Sequence, residues 1–346
     1  MSPSIYASQS DAMSLPQLIR VEENLVAAVF RLMKLLPAKY VVEQALADGR
    51  LNTRDGLVET SSGTYALGLG IVCAEHGVPF VIVSDPAIDD TLRRRLEDLG
   101  GEVRIVDTTH SAANVQVLRL QEVHRHLKAH PEAFWPCQYN NPENRDAYGG
   151  FARQLLGAVG DDLTLVGTVG SGGSTCGAAV PLRAVNPDIR LVGVDTFGSV
   201  LFGLPVGKRV LRGLGNSIHP GNLHHHHYDE IHWVGAADAF QYTRMLHRSK
   251  ALFMGPTSGA AYQVARWIAR QDRSHTVVFI AADEGYRYQD TIYDDAWLRA
   301  EGVYTDAPAQ APVDAPTLAE ARLPWARFVW GRRTFTEVTG QPWEPV

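Results

Sequence analysis

The sequence has few lysines and cysteines, no long apolar run and no excess of positive charge. Its three cysteines, Cys73, Cys137 and Cys176, lack metal-binding spacing and predict free thiols in a reducing cytoplasm. No apolar run reaches the roughly 20 residues of a membrane-spanning helix. The N-terminus also lacks the basic stretch followed by an apolar stretch that is typical of a signal peptide. A net charge of −6 does not favour nucleic-acid binding. We therefore expect a cytoplasmic protein with neither a membrane nor a nucleic-acid partner.

The scarcity of lysine restricts the choice of an amine nucleophile. The chain has five lysines among its 346 residues. Such a nucleophile needs a pocket that lowers its pKa, whereas Lys128, Lys208 and Lys250 lie in polar or charged stretches. Lys34 and Lys39 therefore remain as candidates.

Short apolar runs alternate with helix-like segments in two series, over residues 57–139 and 148–282. This alternation predicts an α/β protein with two lobes, each with a mainly parallel sheet flanked by helices. Residues 25–47 have a helix-compatible pattern. Residues 305–316, rich in Ala and Pro, predict a linker, and 317–346 predict an aromatic extension.

Three turns rich in glycine and hydroxyl groups join an apolar segment to a helix. The central one runs Gly170, Ser171, Gly172, Gly173, Ser174 after the strand-like 164–169. Glycines let the backbone approach an anion, and a helix N-terminus offers free N–H groups. We call residues 170–174 the phosphate cup. It differs from a P-loop and from a dinucleotide fingerprint, and a ligand-free tight turn is the alternative.

The other two turns have similar chemistry. Residues 60–64, called here the carboxylate turn, place hydroxyls at a helix start, where they suit a carboxylate or only cap the helix. Residues 255–260 form the third turn. The histidine tract, His224–His227, resembles a metal site by composition. Four consecutive histidines are expected to point in different directions, so we predict an exposed loop with no defined metal site, which binds metal only adventitiously.

Three of these blocks together resemble the fold-type II pyridoxal-phosphate enzymes of the cysteine synthase and cystathionine β-synthase family, which have a tryptophan synthase β-like fold. They are the carboxylate turn, the phosphate cup and Thr257-Ser258-Gly259-Ala260. Residues 138–144, 212–215 and 284–288 agree with further family segments. The stretches 37–43 and 194–203 resemble the siderophore-pathway synthases that make a 2,3-diaminopropionate precursor from O-phospho-L-serine and L-glutamate.

The resemblance implies pyridoxal 5′-phosphate as cofactor, small amino-acid substrates and a homodimer. It assigns Lys34, rather than Lys39, as the catalytic lysine that links covalently to the cofactor. The implied cofactor-binding residues are Thr64, Gly170, Ser171, Gly172, Gly173, Ser174 and Thr257. The implied substrate-binding residues are Thr60, Ser61, Ser62, Gly63, Gln138 and Gly213.

The resemblance also implies a domain plan and a reaction. A loose N-terminus (1–15) precedes a larger cofactor-binding domain (16–35 and 148–304), and a smaller mobile substrate domain (36–147) is inserted in it. Residues 305–346 follow as linker and extension. The reaction is β-replacement on an activated L-serine, O-phosphoserine or O-acetylserine, with an amine or thiol nucleophile.

The sequence departs from the family pattern near the catalytic lysine. Leu35 and Leu36 replace an Asp-Arg pair, residues 28–32 lack a glycine-rich segment, and Thr64 replaces an asparagine. These departures keep two alternatives open: a β-eliminating lyase or dehydratase, and a catalytically degraded homologue that still binds the cofactor. Arg20, Arg31 or Arg287 could supply a cation for a phosphate or carboxylate.

Overall fold

The structure, a computed structural model, describes residues 5–108 and 114–346. The chain folds as two compact units. Unit 1 comprises the residues up to Leu15 and Leu32–Ala147, and unit 2 comprises Pro16–Arg31 and Tyr148–Val346. The expected division differs at two places, because residues 32–35 belong to unit 1 and residues 305–346 are an integral part of unit 2.

Unit 1 contains a three-stranded parallel sheet in the order β3-β4-β5. Its strands are β3 (Leu57–Thr60), β4 (Phe80–Ser84) and β5 (Glu102–Ile105). Its helices are α1 (Gln9–Met13), α2 (Leu35–Ala47), α3 (Thr64–His76), α4 (Asp90–Asp98), α5 (Val115–Ala129) and α6 (Glu143–Asp146). Leu35, Leu69 and Ile82 lie in its buried core, so α2 and α3 pack through apolar residues beside the sheet.

Unit 2 contains an eight-stranded sheet in the order β1-β2-β9-β6-β7-β8-β11-β10. The five neighbouring strands β2, β9, β6, β7 and β8 run parallel. β1 pairs antiparallel with β2, and β11 pairs antiparallel with β8. The strands are β1 (Gln17–Glu22), β2 (Leu25–Val29), β6 (Leu163–Thr168), β7 (Arg190–Asp195), β8 (Glu230–Val234), β9 (Thr276–Ala281), β10 (Val313–Asp314) and β11 (Trp325–Val329). The helices are α7 (Gly149–Val159), α8 (Gly173–Val185), α9 (Ala236–Lys250), α10 (Pro256–Gln271), α11 (Asp295–Ala300) and α12 (Phe335–Thr339).

The predicted α/β class with mainly parallel sheets is confirmed, while two local predictions are wrong. Residues 25–29 form a strand rather than the start of a helix, because β2 pairs with β9 in the sheet interior. The segment 9–13 is helical, and the backbone N–H of Ser10 donates to Glu75, so this part of the N-terminus is not loose. Trp325 is fully buried, because β11 pairs with β8, so this part of the aromatic extension packs within unit 2.

Among residues 5–108 and 114–346, no helix combines the length and the apolar character needed to cross a bilayer.

Candidate active site

The phosphate cup lies in unit 2 between the buried strand β6 and helix α8. Gly172 has a φ of +83°, and a Cβ built there would lie 2.6 Å from the Cα of Leu223. Only glycine fits this backbone and this close approach. Helix α8 begins at Gly173, one residue earlier than the sequence indicates, and its first-turn N–H groups lack intrahelical acceptors. The backbone of the cup therefore has the shape and polarity of an anion site.

Thr257 lies in the first turn of α10, in the same unit as the cup. Its Oγ1 is buried and has no hydrogen-bond partner among the residues that the structure describes. Gly213 has a φ of +88°, and a Cβ there would lie 2.8 Å from Cγ2 of Thr257. The 213 loop thus packs on Thr257 and leaves its hydroxyl without a protein partner. A buried hydroxyl costs stability unless something hydrogen-bonds to it, so it is suited to a ligand's ring nitrogen.

Lys34 lies in unit 1, at the residue that precedes α2. Burial lowers the pKa of its amine to about 8, so a useful fraction is uncharged near neutral pH. Helix α3 passes so close that a Cβ on Gly68 would lie 2.8 Å from the Lys34 carbonyl oxygen. This packing fixes the backbone from which the amine extends.

Lys39 has a different environment. Its Nζ lies 2.6 Å from Oδ1 of Asp11 and 2.9 Å from Oε1 of Glu43. These carboxylates hold it as a cation, and the pKa of Lys39 is raised although burial opposes the shift. The structure therefore favours Lys34 over Lys39 as the nucleophile, which is the choice that the family resemblance implies.

The carboxylate turn lies in unit 1 and joins β3 to α3. Oγ of Ser61 accepts hydrogen bonds from the N–H groups of Gly63 and Ala66, both at 3.2 Å. Ser61 thereby satisfies an N–H in the first turn of α3, although the N-cap residue is Gly63, which has no side-chain cap. Oγ1 of Thr60 is buried and has no partner within the described parts of the chain. Thr64 is the first residue of α3. The turn thus combines a hydrogen-bonded helix start with an unsatisfied hydroxyl.

The buried carboxylate of Glu59 supports the carboxylate turn through hydrogen bonds. Oε1 of Glu59 accepts from the backbone N–H of Thr60 at 2.7 Å and from Nε1 of Trp135 at 3.2 Å. Its Oε2 accepts from the N–H of Gln138 at 3.0 Å, and Nε2 of Gln138 donates to the Thr60 carbonyl at 2.7 Å. Burial nevertheless raises the pKa of Glu59 to about 7. Glu59 and Gln138 together bind the 135–138 segment to the turn.

A buried arginine lies beside the carboxylate turn. One guanidinium nitrogen of Arg119 donates to Oγ of Ser62 at 3.1 Å and to Oδ2 of Asp85 at 2.8 Å. Arg119 is 4% exposed. Its Nε has no partner in residues 5–108 and 114–346. It is thus a buried cation with a free donor next to the turn that the sequence assigns to the substrate.

Sequence reasoning missed both Glu59 and Arg119. It named Arg20, Arg31 and Arg287 as possible cations. The side chain of Arg31 is 62% exposed and lies 4.0 Å from Glu284, and Arg20 donates to the Glu23 carbonyl. An acidic residue inside the apolar strand 57–60 could have drawn attention to Glu59. No comparable signal marks Arg119 on α5.

The histidine tract is not simply an exposed loop. His225 is buried, with Nε2 2.8 Å from the Leu201 carbonyl oxygen. The ligand nitrogens of His224, His226 and His227 all lie within 4.8 Å of one another. The prediction that the rings diverge holds for His225 and is wrong for the other three, because residues 225–227 form a tight 3₁₀ turn.

Considered separately, unit 2 provides two groups that suit pyridoxal phosphate, and unit 1 provides a third. They are the glycine cradle at Gly172, the unsatisfied buried hydroxyl of Thr257, and the buried amine of Lys34 with its lowered pKa. A phosphate suits the first, a ring nitrogen the second and an aldehyde the third.

Comparison with known proteins agrees with this chemistry. A family model described as pyridoxal-phosphate dependent enzyme matches residues 32–283. An N-(2-amino-2-carboxyethyl)-L-glutamate synthase of Ralstonia nicotianae is 34% identical over 298 residues, which are 82% of this chain and 88% of that protein. A synthase of the same name from Cupriavidus metallidurans is 33% identical over 321 residues, 88% of this chain and 93% of that protein. O-acetylserine sulfhydrylase isoform 3 of Entamoeba histolytica is similar in structure, with a TM-score of 0.78 at 22% identity, covering 88% of this chain and 98% of its own.

Proposed function

Because the chain belongs to the family of pyridoxal-phosphate dependent enzymes, we propose that it joins an amine nucleophile to the β-carbon of an activated L-serine. Pyridoxal 5′-phosphate is the cofactor of this family. When bound, it supplies the electron sink that makes the α-proton of an amino acid removable. The observation that carries the proposal is the placement of Lys34, whose backbone is fixed between the start of α2 and Gly68 of α3, while Lys39 is held as a cation by Asp11 and Glu43.

Each site residue has a role in this reaction. The amine of Lys34 would hold the cofactor's aldehyde carbon with loss of water and, once displaced by the amine of the incoming amino acid, would take the proton from its Cα. The β-substituent would leave as phosphate or acetate with its bonding electron pair, and Lys34 would return a proton to Cα after the amine nucleophile has bonded to the β-carbon. The phosphate cup holds the cofactor's phosphate with backbone N–H groups. The uncharged hydroxyl of Thr257 would donate a hydrogen bond to the ring nitrogen and would add no positive charge there. The N–H groups and hydroxyls of the carboxylate turn, with the positive end of α3, bind the substrate carboxylate.

The buried Arg119 favours O-phospho-L-serine as the donor. A guanidinium with an unpaired Nε is suited to a dianionic phosphate, since the charge-assisted hydrogen bond is strong where water is excluded. The acetyl ester of O-acetyl-L-serine is uncharged before it leaves as acetate, so this substrate would gain less from the cation when it binds.

The names of two relatives favour L-glutamate as the nucleophile. N-(2-amino-2-carboxyethyl)-L-glutamate carries an alanine β-carbon on the glutamate nitrogen, so its synthesis forms a carbon–nitrogen bond at that β-carbon. Because both synthases are about one-third identical to this chain over most of its length, we assign the same product class here. The homodimer and the cytoplasmic location remain part of this proposal, and light scattering of the purified protein tests the first.

A donor screen tests the proposal. The holoenzyme is mixed with O-phospho-L-serine, O-acetyl-L-serine or L-serine, each with L-glutamate, and products are identified by mass spectrometry. We expect the glutamate adduct, formed fastest from O-phospho-L-serine. Lys34→Ala should lose both the covalent cofactor absorbance and turnover, whereas the matched variant Lys39→Ala should retain both.

Other outcomes separate the alternatives. Pyruvate and ammonia without an adduct would identify a β-eliminating lyase. A protein that carries the cofactor but does not change its absorbance with any donor would be the catalytically degraded homologue. A covalent absorbance that survives in Lys34→Ala and is lost in Lys39→Ala would contradict the assignment of the lysine.

A further inference from the structure

Within the histidine tract, the buried ring of His225 anchors the chain, and the rings of His224, His226 and His227 form a separate group. The inward ring of His225 packs against Phe202, Trp330 and Trp343, with centroids 5.3, 5.5 and 4.4 Å away. His225 also donates to the Leu201 carbonyl at 2.8 Å. This anchor fixes the 3₁₀ turn and therefore the directions from which its neighbours project.

The other three rings form a compact set of imidazole ligands. Centroids are 4.3 Å apart for His226 and His227, 5.6 Å for His224 and His226, and 5.8 Å for His224 and His227. Their ligand nitrogens lie within 4.8 Å of one another. A tetrahedral Zn²⁺ with nitrogens at about 2.0–2.1 Å places them roughly 3.4 Å apart. Small side-chain rotations close this gap, and the exposed His226 leaves one position open to water.

The turn beneath these rings is held by hydrogen-bonded charges. Arg183 donates to the His227 carbonyl at 2.7 Å and to Oδ2 of Asp229 at 2.8 Å. Arg332 donates to the other oxygen of Asp229 at 2.7 Å. Because both oxygens of Asp229 are engaged by arginines, the candidate ligands are the three imidazoles. Imidazole suits borderline transition metals such as Zn²⁺, Ni²⁺ and Cu²⁺ rather than Mg²⁺ or Ca²⁺.

The tract is also joined to the phosphate cup within unit 2. The Leu223 backbone lies against Gly172, where a Cβ would be 2.6 Å from the Leu223 Cα. The next residue, His224, donates its N–H to Sγ of Cys176 at 3.4 Å. Cys176 lies in α8, two residues after Ser174. Whatever restrains His224 therefore also restrains one wall of the cup.

We propose that His224, His226 and His227 bind one borderline divalent transition-metal ion, and that the bound ion slows the release of the cofactor by restraining residues 222–224. The site is distinct from the residues assigned to the reaction, and its first half does not depend on the proposed substrate. The second half requires the bound ion to favour the state in which the wall of the cup holds the phosphate. Linkage then makes the ion and the cofactor bind more tightly together, and slower release is the kinetic form of that effect when the association rate is unchanged.

Zinc titration of the holoenzyme tests the site. The protein is purified without a polyhistidine tag, stripped of metal with a chelator and titrated with ZnCl₂ by calorimetry. We expect one Zn²⁺ per chain, bound at least about 100-fold more tightly than by His226→Ala/His227→Ala. The matched control His76→Ala removes an exposed histidine of unit 1 and should bind like the wild type. Far-UV circular dichroism checks that each variant is folded.

Cofactor release tests the coupling. The holoenzyme is diluted, with and without Zn²⁺, into a reagent that captures released pyridoxal phosphate through its aldehyde. The loss of the absorbance of the lysine–cofactor linkage is then followed over time. We expect Zn²⁺ to slow the loss several-fold in the wild type and in His76→Ala, and to have no effect in the double variant. Equal, weak Zn²⁺ binding by the wild type and the double variant would overturn the site. Tight binding with unchanged cofactor release would overturn the coupling.

Discussion

The phosphate cup and the carboxylate turn both follow a buried strand of a parallel sheet and both lead into a helix, yet different groups determine their shapes. The cup is shaped by its own backbone, because Gly172 has a positive φ and lies against the Leu223 backbone. The carboxylate turn is held by polar side chains of residues outside the turn. Its own glycine is not constrained by contacts, because a Cβ on Gly63 would meet nothing within 4 Å. Glu59, Gln138 and Arg119 support the turn instead. The cup is therefore sensitive to one added methyl group, and the carboxylate turn to the loss of distant polar groups.

The largest expected effect comes from adding a methyl group to the cup. Gly172→Ala forces a strained φ, which costs about 1–3 kcal/mol, and a clash with the Leu223 backbone. We expect cofactor affinity to fall by at least about 100-fold, or 2.8 kcal/mol, measured by titrating the cofactor-free protein. The matched variant Gly63→Ala should retain normal cofactor affinity. Equal affinities for the two variants would remove the contrast between the turns.

The second prediction concerns the buried carboxylate beneath the carboxylate turn. The pKa of Glu59 is about 7 in the folded protein and about 4.3 when unfolded. The folded state thus binds the proton more tightly, so this contribution is fully present below about pH 4 and is lost as the pH rises through about 7. Glu59→Gln does not titrate. We therefore expect its stability relative to the wild type to rise by about 2–3 kcal/mol between pH 5 and pH 8.

Urea denaturation of both proteins at the two pH values measures this difference. Groups that titrate equally in both proteins cancel in the comparison. A difference that stays constant with pH would mean that the three N–H donors around Glu59 keep it ionised throughout this range.

The third prediction tests the cation beside the carboxylate turn. Arg119→Lys retains the charge near Asp85 but lacks the planar guanidinium and its Nε donor. We expect the KM for O-phospho-L-serine to rise about tenfold, the effect of losing roughly 1.4 kcal/mol, with a smaller change for O-acetyl-L-serine. Arg119→Ala would also leave Asp85 buried and unpaired, which costs about 3–5 kcal/mol of stability, so lysine is the better probe. Equal KM changes for the two donors would argue against a phosphate contact.

The smallest expected effect comes from removing the Thr257 hydroxyl, which should stabilise the cofactor-free protein but weaken cofactor binding. Thr257→Val removes a buried hydroxyl that has no partner in the described residues. The cofactor-free protein should gain about 1 kcal/mol in its free energy of unfolding, while cofactor affinity should fall about fivefold. Thr257→Ser should keep most of the affinity. A loss of stability in cofactor-free Thr257→Val would show that the hydroxyl already has a partner.

The same contrast explains how much the sequence could predict. The cup is recognisable because its determinants are glycines within five consecutive residues, and the alternating pattern predicts the parallel sheets. Arg119 was missed because nothing in an amphipathic helix distinguishes a buried arginine that reaches a turn some 57 residues earlier. The strand at 25–29 was misinterpreted because a short apolar run suits a buried strand and a helix equally. Its strand character depends on pairing with β9.

The position of β2 also has a consequence for synthesis on the ribosome. β2 emerges early, but its parallel partner is β9 at 276–281, and the sheet is completed only by β11 at 325–329. Unit 1 needs nothing beyond residue 147. At about 5–20 residues per second, the roughly 130 residues from the end of unit 1 to the end of β9 give unit 1 about 7–27 s to fold before β2 meets its parallel partner. Nascent chains paused near residue 160 should therefore expose an apolar hairpin that a chaperone could bind.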